Sequence, residues 1–197
     1  RETIRAYRDL DVLMNHLHLP IQSGNNEILK KMRRDHTVEE YLELIDELKS
    51  EVPDVSLTTD VIVGFPGETD AQFQDTLKVM ERVGYSSSFM FSYSPRPGTP
   101  ANEFEDSVPE DVKKRRLQEL IQLQNRLTEE QSSLYKGKTI EVLIEGNSGK
   151  PGYSFKGRNP QYWRVNATGG ESLYKSGDRV QVSIEQTSGH GLCGAIQ

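Results

Sequence analysis

The chain has 197 residues, 34% of them hydrophobic. That is enough for one or two modest cores at roughly 100–200 residues per domain, and no stretch approaches the roughly 18 consecutive apolar residues of a membrane helix. A single cysteine, Cys193, excludes an internal disulfide framework and an all-cysteine metal site, and a reducing, cytoplasmic setting fits best. The formal net charge of −6 is not, taken whole, the footprint of a nucleic-acid binder. The charge is nonetheless uneven: residues 135–197 hold eight basic and five acidic residues, and residues 1–134 carry a net −9. A basic module on an acidic body and ordinary surface scatter both fit that asymmetry. The opening Arg1-Glu2-Thr3-Ile4-Arg5 has no apolar run behind it and no initiator Met, so it reads as the interior of a longer protein rather than a signal peptide.

In chain order, His16 to Ile21 reads as a short strand and Asn26 to Met32 as a short helix with Ile28, Leu29 and Met32 on one face. Thr37 with Glu40 three residues on is a capping box, opening a helix that turns Tyr41, Leu42, Leu44, Ile45 and Leu48 inward. Val55 to Val63 is a strand that becomes fully apolar, as buried parallel strands do. Thr69 caps a further helix with Phe73, Leu77 and Met80 inward, Ser87 to Tyr93 is a third strand, and Pro109 to about Leu134 is a long helix with Val112, Leu117, Leu120, Ile121, Leu123 and Leu127. This alternation predicts an α/β architecture with parallel strands. Three strands are too few to close a (β/α) barrel, so residues 1–134 are expected to form a partial barrel. Residues 135–197 lack helical signal. Strand-like runs at 139–145, 162–166, 179–185 and 194–197, separated by glycine-rich turns, predict a small antiparallel β-barrel. Barrels of that size often bind oligonucleotides on one face, although fold alone does not establish it.

Three loops carry possible chemistry, because ligands of parallel α/β folds sit at the carboxyl ends of strands. In Leu19-Pro20-Ile21-Gln22-Ser23-Gly24, Gln22 and Ser23 can serve ribose hydroxyls or a carboxylate, or form a polar turn capping the next helix. In Asp60 to Thr69, two glycines and a proline crowd a strand-to-helix turn that is either a close-approach site for ligand or a tight turn with an N-cap; it lacks the lysine and spacing of a P-loop. In Tyr93 to Pro100, three prolines stiffen a loop presenting Arg96, which can hold a phosphate or carboxylate, or form a salt bridge to Glu68 or Asp60. His16 and His18 alternate with leucines and read as core or supporting residues rather than metal ligands. No clustered ligand set or nucleophile–base pair points to a zinc or hydrolytic enzyme.

The segments Pro20 to Asn25, Thr58 to Thr69, Phe91 to Ala101 and Val108 to Leu120, followed by a small β module, occur in one order and spacing along the whole chain. In this it resembles the C-terminal part of the radical-SAM methylthiotransferases, in which a partial (β/α) barrel is followed by a TRAM domain. His18 to Gly24 and Arg96 to Thr99 are most similar to the branch that adds a methylthio group to C2 of N6-isopentenyladenosine beside the tRNA anticodon. The branch acting on N6-threonylcarbamoyladenosine and a non-catalytic RNA-binding module are the alternatives. The resemblance implies S-adenosyl-L-methionine (SAM) and two 4Fe–4S clusters as cofactors, with radical chemistry at the adenine. The six cluster cysteines would lie upstream of Arg1, so the chain alone is expected to be inactive. Gln22 and Ser23 would hold the ribose or methionine part of SAM, Ile62 and Gly64 would line its adenine, and backbone at Phe91 and Ser92 would pair the adenine edge. Asp60, Glu68 and Arg96 would complete the pocket or meet RNA.

The expected macromolecular partner is the tRNA anticodon stem-loop, with no membrane. Aromatic residues beside cations stack and neutralise RNA, and Phe155 to Arg164 interleaves the two types. Arg158 and Arg164 are expected contacts; Trp163 is a third, with barrel core as the other reading for it and Tyr162, at least one of which should point inward. Arg33 and Arg34 form a second basic run, and Arg96 a further contact. Lys113-Lys114-Arg115-Arg116 reads as a solvated helix face. The strand at 16–21 is expected to expose a sheet edge, through which the chain would self-associate unless its own N-terminal segment covers it.

Overall fold

A computed structural model describes residues 2–105, 107–171, 173–189 and 191–197. The elements are α1 (Glu2–Asp9), β1 (His16–His18), α2 (Asn26–Lys31), α3 (Val38–Glu51), β2 (Ser56–Val63), α4 (Asp70–Val83), β3 (Ser87–Ser92), a 3-10 turn (Pro100–Glu103), α5 (Glu110–Ser133), β4 (Thr139–Asn147), β5 (Phe155–Arg158), β6 (Arg164–Thr168), β7 (Arg179–Ser188) and β8 (Gly191–Ile196). They divide into two compact units: Leu17–Pro53 with Leu57–Leu127, and Thr128–Gln197 with Asp54–Ser56 and the stretch up to His16. No helix of the described residues is long and apolar enough to cross a membrane.

The first unit is built on a three-stranded sheet of order β1-β2-β3, with β2 and β3 parallel and in register from Thr58↔Ser87 to Val63↔Ser92. Local signals set its helices. Thr37 and Glu40 close a capping box on α3, Thr69 and Gln72 do the same on α4, and α4 ends at Gly84 in the left-handed region, φ 67°. Leu57, Thr59, Val61 and Val63 form the buried face of β2, and the buried stripes of the helices supply Tyr41, Ile45, Leu48, Phe73, Met80 and Leu120. Tyr41 and Tyr85 share a buried hydroxyl–hydroxyl hydrogen bond of 2.8 Å. Ile121 is exposed: α5 buries the 113, 116, 120, 124, 127 stripe, and position 121 lies off it.

The second unit centres on a closed five-stranded barrel of order β4-β5-β6-β8-β7. The expectation of a purely antiparallel barrel is corrected here: β6 and β8 are parallel, Val165 opposite Leu192. Antiparallel neighbours alternate in direction, and an odd number of strands cannot do so around a closed ring. Inward residues Val142, Ile144, Phe155, Trp163, Val165, Val182, Ile184 and Leu192 fill it. Strand β5 escaped the sequence reading because it has four residues with Gly157 among them. That glycine is required, since a Cβ there would collide with the Leu143 carbonyl oxygen of β4. The strand expected at 162–166 begins later, at Arg164, because Asn159 builds a turn first: its carbonyl accepts from Tyr162 N and its Oδ1 from Trp163 N. Helix α1 precedes β1, and the Tyr7 hydroxyl donates to the His16 carbonyl at 2.9 Å.

Candidate functional site

Two surfaces gather the groups named from the sequence. The first is the face of the three-stranded sheet opposite its helices. Parallel register puts Asp60 beside Phe89 and Ile62 beside Phe91, and alternation turns all four to the same side. Phe89 is 62% exposed and Phe91 50%. His18 joins them: its Nδ1 lies 3.0 Å from Thr58 Oγ1, its Nε2 3.3 Å from Asp60 Oδ1, and its ring meets Phe89 edge-on. A carboxylate, an imidazole held at both nitrogens and two exposed phenyl rings thus share one surface. Such a surface can stack a planar heterocycle and accept hydrogen bonds from its substituents.

At the strand ends the loops have structural partners of their own. Gln22 sits at φ 70°, its N–H donating to Asp60 O and its carbonyl accepting from Ile62 N. Ser23 is buried and its Oγ accepts from Asn25 N, the cap residue of α2. Gly64, at φ 71°, donates its N–H to Glu68 Oε2 at 2.7 Å. A Cβ on Gly64 would lie 2.5 Å from Lys113 Cγ, so glycine is needed for both space and conformation. Ser92 ends β3. The exposed Arg96 opens a turn whose carbonyl accepts from Thr99 N and Oγ1. The salt bridge considered for Arg96 is made by other groups: Arg116 pairs with Glu68 at 2.9 Å, and Asp60 faces His18. Arg33 and Arg34 are exposed on the turn that closes α2.

The reading of Lys113 to Arg116 as a solvated face holds for Lys114 and Arg115 only. Lys113 is 1% exposed and Arg116 3%. A signal was available: both positions fall on the stripe of Leu120 and Leu127, at helical spacing. Burial pushes the Glu68 carboxyl above the usual carboxylate range, against the pull of the Gly64 N–H and Arg116. A hydrogen bond from Arg116 holds the exposed Asp70 carboxyl below it.

The second surface belongs to the barrel. A cleft of ≈ 650 Å³ is lined by Lys150, Lys156, Arg158, Arg164, Asn166 and Cys193, with Glu145 its one carboxylate. Lys150 Nζ lies 3.1 Å from Cys193 Sγ and 4.9 Å from the Tyr153 ring centre. The neighbouring sulfur raises the Lys150 ammonium pKa, so the cation persists. Arg158 is held by Glu145 at 3.1 Å and lies 3.9 Å over the Tyr162 ring, whose other contact is a stacked His16 at 4.8 Å. Trp163 lies in the barrel core at 9% exposure and offers no ring face to a base; the exposed aromatic beside it is Tyr162. Lys156 belongs to the run of cations and aromatics read from the sequence, whereas Lys150 and Asn166 were missed and join it only when β5, β6 and β8 close.

Residues 1–80 match the model of the radical SAM superfamily. Over its whole length the chain is similar to a narrower group of proteins. It is 45% identical over 197 residues to a tRNA-2-methylthio-N(6)-dimethylallyladenosine synthase of Protochlamydia amoebophila, covering 100% of this chain and 43% of that protein. It is 45% identical over 195 residues to the synthase of that name from Thermoanaerobacter sp., and 44% over 195 residues to that of Acetivibrio thermocellus, covering 99% of this chain in each case and 41% and 40% of the relatives. The chain therefore spans about two fifths of the length of the curated relatives it matches.

Proposed function

We propose that the chain is the segment of a tRNA methylthiotransferase that carries the end of the radical-SAM partial barrel, residues 1–134, and a TRAM-like RNA-binding barrel, residues 135–197. The full protein would add a methylthio group to C2 of N6-isopentenyladenosine beside the anticodon, in the cytoplasm. The observation that carries this reading is a single match at 45% identity running through both the sheet and the barrel.

The residues support it in different degrees. SAM, when bound, supplies the methyl group and the radical chemistry. The exposed sheet face fits a nucleoside: Phe89 and Phe91 offer apolar ring faces, and Asp60 an acceptor for hydroxyl or amino groups. On this reading Ile62, Gly64 and the ends of β2 and β3 orient the cofactor, the phenyl rings keep water from it, and His18 keeps the Asp60 carboxylate facing the ligand. Gln22 and Ser23 contribute by shaping the loop after β1, since their polar groups already serve neighbouring backbone. Iron–sulfur clusters are another matter. They are held by sets of cysteine thiolates, and this chain has only Cys193. No group of three or more metal-ligating side chains gathers among the described residues. The chain does not fit a cluster, and the segment alone should be inactive.

The barrel supports an RNA partner. Its strand order, first-second-third-fifth-fourth, is that of the OB-fold, which binds oligonucleotides on the face of its second and third strands and the adjoining loops. The cationic cleft occupies that face: Lys156 and Arg158 from β5, Arg164 and Asn166 from β6, Lys150 from the first loop. Arg33, Arg34 and Arg96 would meet the same RNA.

The test uses the full-length protein, reconstituted anaerobically and given SAM, reductant and isopentenylated tRNA, with digested nucleosides read by mass spectrometry. A 2-methylthio product on isopentenyladenosine is expected. Product only on threonylcarbamoyladenosine would move the protein to the sister branch, and none on either, with intact clusters, would sink the reading.

A further inference from the structure

We propose that Arg116 of α5 is a positioning residue for the SAM site: by holding Glu68 it sets the shape of the strand-end loop Gly64–Glu68. This rests on the reading above. Arg116 Nη1 donates to Glu68 Oε2 at 2.9 Å and to the Glu68 carbonyl at 3.0 Å, and its Nη2 donates to Asp70 Oδ1 at 2.8 Å. The same Oε2 accepts the Gly64 N–H at 2.7 Å. One guanidinium therefore ties the last turn of the loop to the first residue of α4 and, through the carboxylate, to the end of β2. The Glu68 N–H closes the loop onto Phe65 O at 2.9 Å.

The neighbouring strand end is fastened from the same helix. The Lys113 stem fills the space beside Gly64, and its ammonium lies 5.6 Å from the Tyr93 ring centre, just after β3. Phe65 meets Tyr93 edge-on at 5.1 Å. Two buried cations one helical turn apart thus grip the two loops where a parallel sheet presents its ligand.

Stability does not account for the arrangement. Desolvating an ion pair costs as much as its attraction returns, and apolar residues of similar volume usually serve as well. Here the pair is not even fully satisfied, because Glu68 Oε1 and Arg116 Nε are buried without a hydrogen-bond partner among the described residues. What the pair does supply is geometry: a carboxylate fixed where it can hold a glycine N–H at positive φ, next to the backbone of Ile62 and Val63.

The experiment compares the full-length wild type with Arg116→Met, Arg116→Lys and the neutral pair Glu68→Gln/Arg116→Met. SAM affinity is read by calorimetry, KM for SAM and for tRNA separately, and amide exchange over residues 64–69 by mass spectrometry. Arg116→Met should weaken SAM binding about tenfold, as loss of a residue supporting a binding group does. It should raise KM for SAM, leave KM for tRNA unchanged and speed exchange in the loop, and Arg116→Lys should recover part of each effect. Should Arg116→Met fail to fold, the neutral pair leaves no unpaired charge, and its SAM affinity should still be lowered. SAM affinity within twofold of wild type in a folded variant lacking Arg116 would overturn the proposal. A folded wild type that binds no SAM would overturn the functional reading, and this inference with it.

Discussion

In the barrel every strand has two neighbours, and the side chains that alternate inward, Phe155 among them, are used up in filling the interior, which Trp163 enters from the turn before β6. In the three-stranded sheet only one face is covered, and Phe89 and Phe91 stand on the other beside Asp60 and His18. The same residue type therefore means different things in the two regions. An aromatic on a barrel strand is structural unless a turn carries it out, as at Tyr162, while an aromatic on the open face of the sheet is available to a ligand. The polar groups follow the same division. The barrel gathers cations at its rim from two strands and a loop, and the sheet has its strand-end loops gripped from behind by α5.

That comparison can be broken at four points. The largest effect is expected for Trp163→Ala, which empties the barrel core and should cost about 3–5 kcal/mol in denaturant unfolding. Phe91→Ala, on a half-exposed ring, should cost roughly 0.5 kcal/mol while weakening nucleoside binding; a reversed ranking would mean the two regions are misassigned. Next, Gly64→Ala places a Cβ against the Lys113 stem at positive φ and should destabilise the sheet unit by about 1–3 kcal/mol, seen as earlier melting. Third, Arg158→Ala and Arg164→Ala should weaken tRNA binding at low salt and each reduce the slope of log affinity against log salt by about 1, leaving the melting temperature nearly unchanged. An unchanged slope would show that the cleft does not meet phosphate.

The smallest effect is one of pH. Burial pushes the hydroxyls of Tyr41 and Tyr85 above the ordinary tyrosine range. A phenol whose folded pKa is raised binds its proton more tightly in the native state. The associated stability is complete below the unfolded value of about 10 and is lost as pH rises beyond it. Ultraviolet titration should show two tyrosines per chain that ionise only as the sheet unit unfolds. Ionisation of all tyrosines near pH 10 without unfolding would contradict the buried pair.

Much of the architecture was legible because its signals are local. The capping box of Thr37 with Glu40 and the N-cap at Thr69 are written within a few residues, and they placed α3 and α4 correctly. The apolar run ending at Val63 marked β2. The misses share one cause. Lys113 and Arg116 looked like surface because charge usually is, yet they lie on the buried stripe of α5. Strand β5 looked like loop because Gly157 interrupts the alternation, and Tyr162 looked like strand because the turn that turns it outward is built by Asn159.

By itself, then, the sequence determined what local chemistry determines: helix starts, the apolar central strand, a change of texture near residue 134 and the ordered loops on which the family resemblance rests. Only the tertiary structure decided which groups act together. An odd ring of strands forced β6 and β8 into parallel contact and drew Lys150, Lys156, Arg158 and Arg164 onto one cleft. Packing of α5 carried Arg116 to Glu68, 48 positions away. Such pairings depend on chain closure over long separations, where no short-range preference of either residue records the partner it will meet.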